Sequence, residues 1–169
     1  MREWLKALLL GKAPLPAPAP ALSVPAPAPS APGLRDGLYA HWSDIPWPVD
    51  RWPDFAPVEL ACPCCGEAYI ERVAIDMLQA ARRTVGHPLK VNSAHRCEVH
   101  NAHVGGAPAS AHKKLAFDVS FNGRDRWALL RALERAGFTT FGFYQTFIHT
   151  DTRPGRRWFG NGAKSLWTS

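Results

Sequence analysis

His112, Asp118 and His149 have the side-chain types and the local sequence patterns to hold one divalent metal ion. A hydrolytic zinc site draws three ligands from His, Asp, Glu or Cys and leaves a fourth position for the water it activates. His112 closes the tripeptide Ser110-Ala111-His112, Asp118 stands within Leu115 to Phe121, and His149 lies within Thr146 to Asp151. One loop and two neighbouring strands can bring such groups together. On spacing alone, a satisfied core or surface histidine is an equal reading, as it is for His41 and His87.

The elements that must position these groups are legible in the periodicity. Leu115 to Phe121 alternates apolar and polar residues as a half-buried strand does, with Asp118 on the polar side. Thr139 to Tyr144 and Thr146 to Asp151 have strand composition, and His149 and Asp151, two residues apart, share a face. Leu89 to Asn92 reads as a further short strand. A scaffold helix is predicted over Glu67 to Val85, where Ile70, Val73, Ala74, Met77, Leu78 and Ala81 fall at helical spacing before Gly86 and Pro88. A second helix is predicted over Arg124 to Ala136 after an Asn122-Gly123 turn, with Trp127, Leu130 and Leu133 in phase and Gly137 as its stop. The expected class is α+β, a small, mostly antiparallel sheet with packed helices.

Three segments are expected along the chain: a short amphipathic stretch over residues 1–12, a Pro/Ala-rich linker over 13–33, and one folded domain over 34–169. The linker composition favours extended polyproline II, so about 20 residues at ~3.1 Å each could hold the N-terminal segment on the order of 60 Å away. A tether partner for that segment is expected. Met1 to Leu10 is interrupted by Glu3 and Lys6, giving no clear signal peptide, and no apolar run is long enough for a transmembrane segment. Trp42, Trp47, Trp52 and Phe55, spread among prolines, read as an irregular arm whose aromatics cover a surface. The net charge of +6 attracts polyanions non-specifically. Its scattered lysines and arginines form no nucleic-acid motif, so no specific nucleic-acid partner is expected.

Val91-Asn92-Ser93-Ala94-His95-Arg96-Cys97, His100-Asn101, Val104 to Pro108, Ser110-Ala111-His112, Ala116-Phe117-Asp118 and Phe147 to Asp151 recur in an order that resembles one family. The resemblance, spanning Pro57 to Phe159, is to the zinc D-alanyl-D-alanine carboxypeptidases, which include phage endolysins and share the fold of the Hedgehog signalling domain. It implies that His112, Asp118 and His149 are ligands of one catalytic Zn2+. It further implies that Arg96 receives the carboxylate of the substrate and that Ser110 hydrogen-bonds the bound peptide. A guanidinium fork matches a carboxylate bidentately, which suits the Arg96 role. The implied activity is hydrolysis of D-Ala-containing peptides of bacterial peptidoglycan, as a DD-carboxypeptidase or endopeptidase. The Pro/Ala tether suits a lysis or tail-associated enzyme of phage origin, acting on the cell wall from a virion or after release from the cytoplasm.

The sequence departs from the family pattern twice. Lys113-Lys114-Leu115 shortens the usual spacing between the first His and the Asp by one residue and removes its glycine, so this loop must tighten. Many relatives carry a catalytic Asp or Glu three residues before the last His, where this chain has Thr146. Asp151 resembles the His-x-Asp ending of another branch and is the candidate for general base or for orienting a metal ligand. Loss of the base would leave a catalytically silent, zinc-containing wall-binding module, which is the alternative reading.

Cys62, Cys64, Cys65 and Cys97 allow a second, structural zinc site of four thiolates, one or two disulfides, or free thiols. The adjacency of Cys64 and Cys65 argues against the four-thiolate cage. Trp158 and Phe159 are read as packing on the end of the sheet.

Overall fold

The computed structural model describes residues 33–121 and 123–168. The expected amphipathic segment, the linker up to residue 32 and Asn122 of the expected turn therefore lie outside the described residues. Among the described residues, no helix is long and apolar enough to cross a membrane.

The chain is α+β. Strands β1 (Gly37–Tyr39) and β2 (Ala68–Ile70) form a small antiparallel pair, with Tyr39 opposite Ala68 and Gly37 opposite Ile70. A five-stranded sheet follows, built from β3 (Lys90–Ser93), β4 (Phe117–Ser120), β5 (Thr140–Phe143), β6 (Phe147–Asp151) and β7 (Arg157–Phe159). Its order is β3-β4-β6-β5-β7, antiparallel throughout except for the parallel pair β5 and β7. Helix α1 spans Pro57–Leu60, α2 Arg72–Val85, α3 Glu98–His103, α4 Arg126–Arg135 and α5 Lys164–Thr168.

Helix α2 starts at Arg72, five residues later than the Glu67 start expected from periodicity. Ala68 and Ile70 turn inward with Tyr69 between them, a period of two that pairs with β1, and the helix starts only after Glu71. Its buried face is Ala74, Ile75, Leu78 and Ala81, while Val73, expected in the core, is exposed. Gly86 closes it in the left-handed conformation at φ +71°. Helix α4 begins at the N-cap Asp125, whose carboxylate accepts from the backbone N–H groups of Trp127 and Ala128. It buries Leu129, Leu130, Ala132 and Leu133; Trp127 sits instead at the margin, edge-on to Trp167 at 5.2 Å between ring centroids.

Alternation divides the five-stranded sheet into two faces. Phe117, Val119, Phe141, Phe143 and Ile148 join the helices in the core, and Asp118, Gly142, His149 and Asp151 point to the other side. Asp118 lies on the non-core face as the alternation predicts, yet it is buried, because a loop and a neighbouring strand close over it. The aromatic arm packs as expected: Trp52 is fully buried and donates its indole N–H to Asp76 of α2 at 2.8 Å, and Trp47 donates to the Phe55 carbonyl. Trp158 and Phe159 extend the sheet as its last strand, where the sequence suggested only end packing.

Candidate functional site

One row of the sheet carries the site. Ser93, Asp118, His149, Gly142 and Trp158 are successive cross-strand partners from β3 to β7. A register shift between Val91 and Ser93 brings Ser93, rather than Asn92, opposite Asp118. His112 arrives from a 3-10 turn at Ala111–Lys113, in which the Ser110 hydroxyl accepts from the His112 backbone N–H. The tight turn brings His112 to Asp118 across a spacing of only six residues.

The three expected metal-binding side chains meet. His112 Nε2 lies 3.2 Å from Asp118 Oδ1 and 3.1 Å from His149 Nδ1, and His149 Nδ1 lies 2.9 Å from the same Asp118 oxygen. These atoms form a near-equilateral triangle. Ligands ~2.0–2.1 Å from a tetrahedral zinc stand roughly 3.3 Å apart, so the triangle has the size of one face of such a site.

The outer atoms fix which lone pairs converge. His112 Nδ1 donates its proton to the Ala94 carbonyl at 2.6 Å, leaving Nε2 as an acceptor. His149 Nε2 donates to Asp151 Oδ2 at 3.1 Å, which turns its Nδ1 lone pair inward. Two imidazole lone pairs and a carboxylate oxygen aimed at one point repel one another unless a cation sits between them. The donor set fits a divalent metal, with a backbone carbonyl and a carboxylate holding the ring tautomers.

Without a metal, protons do this work. Burial works against ionisation of Asp118, but hydrogen bonds from His112 and His149 outweigh it and hold the carboxyl far below the ordinary range. Burial lowers the basicity of His149, yet Asp118 and Asp151 on its two sides raise it above the ordinary histidine value.

Asp151 lies behind His149, on the side away from His112 and Asp118. Both its oxygens are occupied: Oδ1 accepts from the Arg153 backbone N–H and Nε, and Oδ2 accepts from Arg153 Nη2 at 2.8 Å and from His149. Its burial is outweighed by His149 and Arg153, so its carboxyl is held far below the usual range. Arg96 stands on the other flank, with Nε donating to the Ser93 hydroxyl and Nη2 to Asp118 Oδ2 at 2.9 Å. Ser110 lines a cavity of about 350 Å³ together with Pro108, Lys113, Lys114, Arg153 and Glu71.

The pattern of the sequence and this architecture agree with one family. Residues 53–151 match the model of the peptidase M15 family. The chain belongs to the M15 peptidases. It is thus of metallopeptidase type, and the match contains His112, Asp118, His149, Asp151, Arg96 and Ser110. No curated protein sequence matches the chain.

Several groups around this cluster were not singled out from the sequence. Ala94 acts through its carbonyl, and Arg153 through a salt bridge to Asp151, neither of which leaves a pattern in side-chain types. Trp158 was read as packing, but its ring stands 5.3 Å from that of His149. A signal for it did exist: a glycine inside a strand, Gly142, often marks a close approach by another group.

Proposed function

We propose that the chain is a zinc-dependent peptidase that hydrolyses D-Ala-containing peptides of bacterial peptidoglycan, as a carboxypeptidase or an endopeptidase. The observation that carries this is the triangle of His112 Nε2, Asp118 Oδ1 and His149 Nδ1, with sides of 2.9–3.2 Å, inside an M15 chain. In this reading those three residues hold one zinc ion. When bound, zinc lowers the pKa of its water toward ~7 and polarises the scissile carbonyl.

The remaining roles fall to side chains whose placement suits them. Arg96 uses Nε and Nη2 within the protein, and its Nη1 is assigned to the carboxylate of the peptide, fixing the scissile bond before reaction. Ser110 faces the peptide from the wall of the 350 Å³ cavity, whose Lys113, Lys114 and Arg153 suit a substrate bearing carboxylates. Asp151 is assigned to orienting His149 rather than to proton transfer, since its lone pairs are taken by Arg153 and His149. A role on the cell wall as a lysis or tail-associated enzyme is consistent with the Pro/Ala-rich stretch of residues 13–33.

The saturated Asp151 and the Thr146 position together favour a second reading, a wall-binding module that keeps the zinc and performs no turnover. Incubating the zinc-loaded full chain with defined muropeptides, with products read by mass spectrometry, decides between them. Release of D-alanine or cross-bridge fragments by the wild type but not by His149→Ala supports the peptidase. Retention of intact muropeptides with no product supports the module.

A further inference from the structure

We propose that Cys62, Cys64, Cys65 and Cys97 hold a second metal ion, a structural zinc bound by four thiolates. The site shares no residue with the His112, Asp118 and His149 triangle and does not depend on the peptidase reading.

The four sulfurs converge on one point. All lie within 4.8 Å of one another, with Cys62 Sγ 3.5 Å from Cys64 Sγ and Cys64 Sγ 3.4 Å from Cys97 Sγ. Sulfurs ~2.3 Å from a tetrahedral zinc stand roughly 3.8 Å apart, close to these spacings. The four are free cysteines, and Cys64 approaches Cys62 and Cys97 alike, which is a shared cluster rather than two pairs. Packing does not account for it. Cys64 and Cys65 are exposed, so their thiols gain little from burial where they stand.

The backbone around the sulfurs is shaped for thiolates. Cys62-Pro63-Cys64-Cys65-Gly66 is a tight turn in which the Gly66 N–H donates to the Cys62 carbonyl at 2.9 Å and the Cys62 N–H donates to the Glu67 carbonyl at 2.7 Å. Gly66 takes φ +78°, and a Cβ there would meet the His41 ring at 2.3 Å, so the turn requires glycine. The turn also separates the neighbouring Cys64 and Cys65 enough for both to face the cluster, which answers the objection from their adjacency. The His100 N–H donates to the Cys97 sulfur at 3.4 Å, and against its burial the Cys62 thiol is lowered by the backbone N–H groups of Cys97 and Cys64. Converging N–H donors stabilise negative sulfur and recur where thiolates bind metals.

The ion would join two segments 33 residues apart in sequence, the turn after α1 and the start of α3. Between Cys97 and β3 stand Arg96 and Ala94, the latter holding His112 through its carbonyl. A tetrathiolate clamp therefore braces the segment that positions the peptidase site, although it takes no part in the reaction.

The test uses the full chain, prepared under reducing conditions and loaded with zinc or with cobalt alone. Zinc analysis should give two ions per chain in the wild type and one in His112→Ala/His149→Ala. The cobalt form of that double variant should keep the intense near-ultraviolet thiolate-to-cobalt charge-transfer absorption, and Cys64→Ser/Cys65→Ser should lose it. Because the cysteine variant can fail to fold, the histidine variant carries the test by itself. Absence of the charge-transfer band in cobalt-loaded His112→Ala/His149→Ala overturns the proposal. So does an intact mass showing that the cysteines of the freshly isolated protein are joined as disulfides.

Discussion

The indole of Trp158 lies directly over Gly142, at the place where any other residue would carry its side chain. A Cβ on Gly142 would fall 2.5 Å from the Trp158 ring, and both residues share the sheet row of His149. The missing side chain is what lets Trp158 on β7 reach across β5 toward the His149 ring, 5.3 Å away.

Gly142→Ala should therefore destabilise the fold by about 1–3 kcal/mol, the usual cost of inserting a carbon into a filled space. The loss should shrink when Trp158→Ala is present, since the double variant removes the clash. Urea unfolding of the two single variants and the double variant measures this coupling. Additive losses would show that the contact is not the cause.

Metal binding at His112, Asp118 and His149 should weaken as pH falls. Against its burial, Asp118 and Asp151 hold His149 above the ordinary histidine value, so in the metal-free protein its proton is retained to higher pH than on a free histidine and must be displaced by the metal. The sign follows: a raised folded value makes the protonated, metal-free form favoured below it, and affinity should fall roughly tenfold per pH unit there. Asp118, held far below its usual range, stays ionised and adds no dependence near neutrality. Zinc titrations across about pH 5.5–8, the range of ordinary histidine titration, in buffers of different ionisation enthalpy, taken as the difference between the wild type and His112→Ala/His149→Ala, count the proton released at this site.

Asp151→Ala should lower zinc affinity about 10–100-fold, the usual effect of removing the group that orients a metal-binding histidine. Its kcat on muropeptides should recover when zinc is raised to saturation. A rate that stays roughly 10²–10⁴-fold down at saturating zinc would instead make Asp151 the general base.

Arg96→Lys keeps the charge but loses the planar fork. For peptides with a free C-terminal carboxylate, kcat/KM should fall about tenfold to hundredfold, the loss of one charge-assisted hydrogen bond. For the same peptides carrying a C-terminal amide, wild type and variant should differ little. An equal loss on both would place the effect in the Arg96 to Asp118 hydrogen bond instead.

The α+β class and the strand that holds His149 and Asp151 on one face could be read from residue types and periodicity, whereas the convergence of His112, Asp118 and His149 was implied by the order of motifs that resembles the zinc carboxypeptidases, spacing alone leaving it level with ordinary histidines. Strand alternation decides which side chains share a face, and this is a property of local sequence. The start of α2 could not be read so, because Ala68 to Ile70 carry apolar residues compatible with either a strand or a helix, and pairing with Gly37 to Tyr39 settled the matter. The same holds for the roles within the site. Asp151 is two residues from His149 in any extended strand, but whether its oxygens are free for a proton or spent on Arg153 depends on where the chain turns next. The Ala94 carbonyl behind His112, Trp158 over Gly142, and the meeting of Cys97 with Cys62, Cys64 and Cys65 are contacts between distant segments. Backbone groups and long-range packing leave no periodic trace, so the tertiary structure alone decided them.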